Sequence, residues 1–393
     1  MGRKAKSETE ETVPSKKKLD LKAFLKESKV KGLELASTLE CSKMSNISEW
    51  ISTGSLSLNK LLSGDIYKGL PRGRIMAFAG PSGVGKSYIA GNCIREAQKA
   101  GYTIMVFDSE NAISKDFLMR LGVDVEQVMH IPIITVTEFR NTAIKMIDEF
   151  MAAYPKEKLF IVVDSLGGLT TTKAYEDVEA DKSAQDMGLR AKQLRDLAKL
   201  FTHSVAKHQA CMIVTNHTYE KPAQNPHMAP DIIFGGGEGF VYATSGMIYL
   251  KKSGIKEEST SLVDNKTVKT KVGNFLKATS QKNRFVPEGM TGAIHLSYTK
   301  GMNKWYGLLE DALEFGFVTD SSAGYYNVVH LDKKVKKVDI YKTEYWAGMV
   351  DALAEKIRDK YKYVTNTTMD EIEESLDAEE DADKKDKSTE ESE

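Results

Sequence analysis

The sequence predicts an α/β protein built on a mostly parallel sheet, and three observations carry the prediction. Short, nearly unbroken apolar runs recur between residues 74 and 250. Stretches with apolar residues at helical spacing separate them. The first run leads directly into a glycine-rich turn that opens a helix. Strands that are apolar at successive positions are buried on both faces, the situation of a parallel sheet covered by helices on each side.

Residues 1–18 are polar and charged and predict a disordered start. From Leu19 to Leu39, apolar residues at helical spacing (Leu21, Phe24, Leu25, then Leu33, Leu35, Leu39) predict two short helices, an N-terminal arm over 19–50. Trp50–Leu70 reads as a mixed lead-in with Gly54, Gly64 and Gly69. Strands follow at Arg74–Ala79, Thr103–Asp108, Val128–Ile131, Leu159–Asp164, Cys211–Asn216 and Gly246–Leu250. Helices are expected from the turn to about Lys99, at Lys115–Leu121, at Val136–Ala152 and at about Asp186–His208. Residues 251–271 are polar, a hairpin or a mobile connection, and 274–298 hold further strands that close a core over 51–298. A small α+β region is expected over 299–366, with one helix at Tyr345–Ile357, and a disordered acidic tail over 367–393. No internal repeat is visible.

Composition narrows the function classes. No run of 18 apolar residues exists, so no membrane span is expected, and the charged N-terminus has no apolar core of a secretory signal. Cys41, Cys93 and Cys211 are far apart without metal-ligand spacing, which fits ordinary thiols in a reducing compartment, the cytoplasm or, for a viral protein, that of the host. The total charge of −1 hides an asymmetry: residues 370–393 carry −10, which leaves +9 for residues 1–369. A basic body with an acidic tail fits a polyanion binder whose tail competes for its own basic surface; a solubilising tail explains the charge equally well.

Gly80-Pro81-Ser82-Gly83-Val84-Gly85-Lys86-Ser87 matches the phosphate-binding pattern G-x-x-x-x-G-K-[ST], with an apolar strand ahead and a helix, beginning with Tyr88, behind. Glycines let consecutive backbone N–H groups converge on phosphate oxygens, and the helix N-terminus adds its dipole. Lys86 is placed to reach the β and γ phosphates, and the Ser87 hydroxyl to ligate Mg²⁺. Ligands in such sheets bind at the carboxyl ends of strands. Asp164 ends one strand and is a second candidate for Mg²⁺; Glu110 follows another and is a candidate base for the attacking water. ATP and Mg²⁺ are the expected cofactors.

Ser109-Glu-Asn-Ala112 after the second long strand, LFIVVDS at 159–165 and VTNHTYE at 214–220 together resemble the RecA recombinase family, closest to its T-even-phage branch. The resemblance covers about Leu19–Asn327 and the acidic C-terminus. It implies a RecA-like ATPase core and assigns Glu110 as the catalytic glutamate. Phe117 matches the aromatic that packs against adenine, although a core role in its helix explains it equally well. Asn216-His217 matches the γ-phosphate sensor, where most family members have Gln and the phage branch has His. Lys282 and Arg284 match a basic pair that reaches a neighbouring subunit's ATP; a solvated pair on a loop is the plainer explanation.

Two segments match the family's DNA-binding loops. The first spans Tyr175–Met187 with Lys182, followed by Arg190; the second spans Thr218–Phe234, carries three of nine prolines with Lys221, His227 and Met228, and meets Gly235-Gly236-Gly237. The implied function is an ATP-dependent recombinase that forms helical filaments on single-stranded DNA and pairs it with a homologous duplex. Its implied partners are other copies of itself, a single-strand-binding protein and a recombination mediator. A hexameric helicase motor of the same fold remains the main alternative. An ATP-binding mediator without useful turnover is opposed by Glu110 and Lys86.

Overall fold

The computed structural model describes residues 19–28, 30, 36–179, 187–221, 231–235, 238–260 and 267–361. The stretches expected to be disordered, 1–18 and 367–393, lie outside these residues, as do Lys182, His227, Met228, Gly236 and Gly237.

Ahead of the main sheet lie α1 (Leu21–Glu27), the two-stranded pair β1 (Trp50–Ile51) and β2 (Leu70–Pro71), and between those strands α2 (Leu56–Ser63). The core runs β3 (Ile75–Gly80), α3 (Lys86–Lys99), β4 (Tyr102–Asp108), α4 (Lys115–Arg120), β5 (Val128–Pro132), α5 (Val136–Ala153) and β6 (Lys158–Asp164). It continues with α6 (Thr172–Glu179), α7 (Met187–His208), β7 (Cys211–Lys221), β8 (Asp231–Phe234), α8 (Glu238–Ala243), β9 (Gly246–Thr260), β10 (Thr267–Asn283), β11 (Thr291–Ser297) and β12 (Gly301–Met302). The sheet order is β5-β4-β6-β7-β3-β9-β10-β11-β12, with β8 beside the end of β7. Strands β5 through β9 in that order are parallel, and β9 to β12 are antiparallel.

The apolar runs have a two-sided use. Met76, Phe78, Ile104, Val106, Phe160, Val162 and Ile213 pack on one face with Ile89, Cys93 and Ile94 of α3. Ile75, Met105, Phe107, Ile161, Val163 and Met212 pack on the other with Phe139 of α5 and Phe201 of α7. Alternation with period two sends successive residues to opposite faces, so a strand covered on both sides is apolar throughout. Chain continuity then brings the carboxyl ends of β3, β4, β6 and β7 to one edge.

Several elements differ from expectation. The lead-in holds a full helix, α2, with Ser55 accepting from the Leu58 amide and Gly64 closing it at φ 77°. Within the arm, α1 is helical, 31–35 fall outside the described residues, and Leu39–Cys41 form a short 3₁₀ turn instead of a helix end. Residues 175–179, expected as the start of the first loop, belong to α6. The fourth long strand runs on to Lys221 and pairs with β8, so both ends of the second loop are strand, and 222–230 lie outside the described residues. Gly246–Leu250 likewise extends into a long antiparallel ribbon, because cross-strand pairing stabilises even a polar segment once β9 and β10 are in register. The helix expected at Tyr345–Ile357 is broken into α10 (Thr343–Trp346) and α11 (Val350–Tyr361). Gly348 sits at the break, where a Cβ would approach the His330 ring to 2.6 Å, and glycine itself disfavours helix.

The C-terminal region adds α9 (Leu309–Glu314) and a three-stranded sheet of β13 (Val318–Asp320), β14 (Tyr325–Val328) and β15 (Lys333–Lys336). Its core of Trp305, Leu308, Val318, Trp346, Leu353 and Ile357 closes over Leu56 and Ile66 from around α2. Lys60 of α2 donates to Asp311 at 2.6 Å, with both side chains about 5% exposed.

Candidate active site

The turn after β3 is shaped by backbone that only glycine adopts freely. Gly83 and Gly85 have φ of 66° and 110°, and a Cβ on Gly80 would lie 2.6 Å from the Leu250 carbonyl. The loop opens onto a cleft of about 350 Å³ lined by Ser82, Gly83, Gly85, Lys86, Ser87 and Tyr88, with Glu110, Asp164 and His217 opposite. Residues from four strand ends, scattered over more than 130 positions, thus share one cleft.

Their side chains form a connected chain. Lys86 Nζ donates to the carbonyls of Gly80 (2.9 Å) and Pro81 (3.0 Å) and lies 3.3 Å from His217 Nδ1. His217 Nε2 lies 2.6 Å from Glu110 Oε1, which also accepts from the Ser165 hydroxyl. A protonated lysine only donates, so the network assigns Nδ1 as the acceptor and Nε2–H as the donor to Glu110. Burial pulls the Lys86 pKa below its usual value, and Asp164 and Glu110 act against that shift.

Asp164 is the candidate metal ligand. Its Oδ1 accepts from the Thr215 hydroxyl, while Oδ2 is buried without a hydrogen-bond partner among the described residues. Burial raises its pKa, opposed by the Thr215 and Ser87 hydroxyls. An orphaned carboxylate oxygen beside a serine hydroxyl is a donor set that suits a hard divalent cation, which takes few protein ligands when phosphates supply the rest. No cluster of three or more acidic, His or Cys residues suited to a metal occurs among the described residues.

Other expected residues lie elsewhere. Phe117 is not among the cleft's lining residues; it is half-buried against the core under α3, and its ring meets edge-on at 6.1 Å that of Tyr88, which does line the cleft. Lys282 and Arg284 are also outside the protomer's own cleft. Lys282 Nζ donates to the carbonyls of Val241, Tyr242 and Thr244 at 2.8–2.9 Å, at the C-terminal end of α8. Arg190 is engaged within the protomer. Its Nε donates to the Leu169 carbonyl and its Nη2 to those of Leu166 and Gly167, which ties α7 to the turn after β6. Lys221 ends β7.

Sequence reading missed part of the cleft wall. Asn274, Leu296, Ser297 and Tyr298 line it from β10, β11 and the turn after, and Asn274 Oδ1 is buried and unpartnered among the described residues while its Nδ2 donates to the Tyr298 hydroxyl. Lys252 Nζ donates to the Gly83 carbonyl at 3.0 Å. Nothing local marks these residues, because the β9–β10 ribbon alone carries them back to the loop. Asp108 was also missed, although its place at a strand end two residues before Glu110 is visible.

The site is joined to the second loop. The Gly235 amide donates to the His217 carbonyl at 2.8 Å, and Asn216 Nδ2 donates to the Gly235 carbonyl. Residues 216–217 therefore touch both the cleft and the base of the β7–β8 hairpin.

Comparison with known proteins decides the family. The RecA N-terminal domain model matches residues 22–303. The chain is 30% identical over 303 residues to the recombination and repair protein of Enterobacteria phage T4, covering 77% of this chain and 73% of that one. The chain belongs to the RecA family. RecA proteins of Anaplasma marginale (strain Florida) and Thermotoga neapolitana are each 28% identical, over 282 and 278 residues, covering 72% and 71% of this chain and 72% and 73% of theirs. The match to the RecA N-terminal domain ends near β12, so α9 to α11 and the small sheet lie beyond it.

Proposed function

We propose that this RecA-family recombinase of recombination and repair hydrolyses ATP between protomers of a filament on single-stranded DNA and uses the nucleotide state to set its grip on that DNA. The observation that carries the reading is the contact of residues 216–217 with both Glu110 and the base of the second loop.

In this reading the Gly80–Ser87 amides and Lys86 hold the phosphates of ATP, and Asp164 and Ser87 hold Mg²⁺, which neutralises charge on the phosphate oxygens when bound. Glu110 orients the attacking water and accepts its proton. Lys86 leaves the Gly80 and Pro81 carbonyls for the phosphates, and His217 loses one of its two partners. His217 then turns between Glu110 and the γ-phosphate, and its carbonyl carries the change to Gly235 and the loop beyond. Lys282 and Arg284 act on the next protomer's nucleotide. The arm supplies a further protomer contact, a role supported by Leu21 and Phe24 of α1, which are 55% and 67% exposed.

Electron microscopy with ATP and single-stranded DNA, run beside a joint-molecule assay with a homologous duplex, tests this. Helical filaments and joint molecules are expected, both dependent on ATP. Closed hexameric rings with directional unwinding would replace the reading with a helicase motor.

A further inference from the structure

The loop that carries Glu110 hangs on one carboxylate. Asp108 ends β4 and is 1% exposed. Its Oδ1 accepts from the amides of Glu110 (3.0 Å) and Ala112 (3.3 Å), and its Oδ2 from the amide of Ile113 (3.2 Å). A carboxylate offers about four acceptor positions. The remaining one faces His130 Nε2, 3.3 Å from Oδ2. The β4–β5 register opposes Val106 and His130, so residues 106, 108 and 130 share a face of the sheet. His130 stands on β5, the last strand of the sheet, with its side chain 44% exposed.

We propose that His130 is a positioning residue for ATP hydrolysis: it completes the acceptor shell of Asp108, which fixes residues 110–113 and so aims Glu110 into the cleft. The inference rests on the reading of Glu110 as the base. A carboxylate turns readily about its terminal torsion, so each further donor on its oxygens narrows the orientation of Asp108. His130 reaches Oδ2 from the neighbouring strand β5, on the oxygen that also accepts from the Ile113 amide. The loop needs that hold: two of its three amide bonds lie at the long end, 3.2 and 3.3 Å, and Asn111 sits at φ 53°, a region non-glycine residues visit rarely. Misplacing a catalytic group by about 1 Å costs on the order of a hundredfold in rate. The Gly80–Ser87 loop takes no part in this shell, so the hold on the phosphates does not depend on it.

The test uses the full chain with saturating single-stranded DNA and steady-state ATPase kinetics. His130→Ala is expected to lower kcat about tenfold, with KM for ATP within about twofold and the melting temperature unchanged. His130→Gln, which keeps a side-chain N–H donor, recovers most of the loss. Adding His130→Ala to Asp108→Asn lowers kcat no further, because the two act as one unit. A His130→Ala enzyme with wild-type kcat, or a loss that glutamine does not recover, overturns the proposal. Glu110→Gln is measured alongside: if that variant still turns over ATP at the wild-type rate, the base assignment fails, whatever the His130 variants do.

Discussion

The Asp164 carboxyl ends an apolar strand with Oδ2 unpaired among the described residues, and burial holds its pKa above the usual carboxylate value. A carboxyl whose folded-state pKa is raised favours the fold at low pH, and that contribution is lost as pH rises through the raised pKa. Asp164→Asn keeps an acceptor for Thr215 and never ionises. In nucleotide-free protein its melting temperature is therefore expected to exceed that of the wild type by a margin that widens from acid to neutral pH, by roughly 2–4 °C for each kcal/mol relieved. The same variant loses the thermal shift that Mg²⁺ and nucleotide give the wild type, and calorimetry at several pH values measures both effects. At this scale the sequence was informative where chemistry imposes a local pattern. Gly80–Ser87 and the strand-end position of Asp164 are visible without a structure. The bond between His217 and Glu110 is not, because the two are 107 residues apart and meet only through the order of β4, β6 and β7 in the sheet. Phe117 shows the limit: one aromatic on a short helix satisfies a core and a binding site alike, and its ring, half-buried against Tyr88 of the cleft wall, keeps both uses open.

Among the elements, α2 was the one least legible beforehand. Its signals are present, a serine N-cap at Ser55 and a glycine stop at Gly64, but they sit among other glycines in a segment too short for two turns of clear periodicity. Its lysine also hides the burial: Lys60 reads as a solvent position until Asp311 is seen to cover it. Removing one partner of a buried pair leaves the other charged and unmatched. Lys60→Ala is thus expected to cost about 3–5 kcal/mol in denaturant unfolding, whereas the paired change Lys60→Met with Asp311→Leu stays near wild type. A single substitution as mild as the double one would mean that α9 rearranges to hydrate Asp311. The β9–β10 ribbon was legible only as one of two alternatives. Its outer half is polar, which leaves a hairpin and a mobile connection both open over 251–271, and the pairing of β9 with the next strand, β10, decides for the hairpin.

For the whole molecule, the proposed interface makes a sharp demand. Glu110 lines a protomer's own cleft, whereas Lys282 lies outside it against the end of α8. If Lys282 serves the next protomer, Glu110→Gln and Lys282→Ala are each inactive alone, yet an equimolar mixture regains DNA-stimulated turnover at about a quarter of the wild-type level, since one junction in four joins an intact Glu110 to an intact Lys282. A mixture as inactive as its components would place Lys282 in the service of its own protomer. The clasp between α2 and the C-terminal region has a consequence of another kind. Lys60 waits 251 residues for Asp311, and Leu56 and Ile66 wait as long for Trp305, Trp346 and Leu353. During synthesis, at about 5–20 residues per second, the ATPase sheet is complete for several seconds while the side of α2 that carries Leu56 and Lys60 is still uncovered. A newly made chain therefore passes through a stage with a finished nucleotide cleft and an open flank, which α9, α10 and α11 shut as they follow.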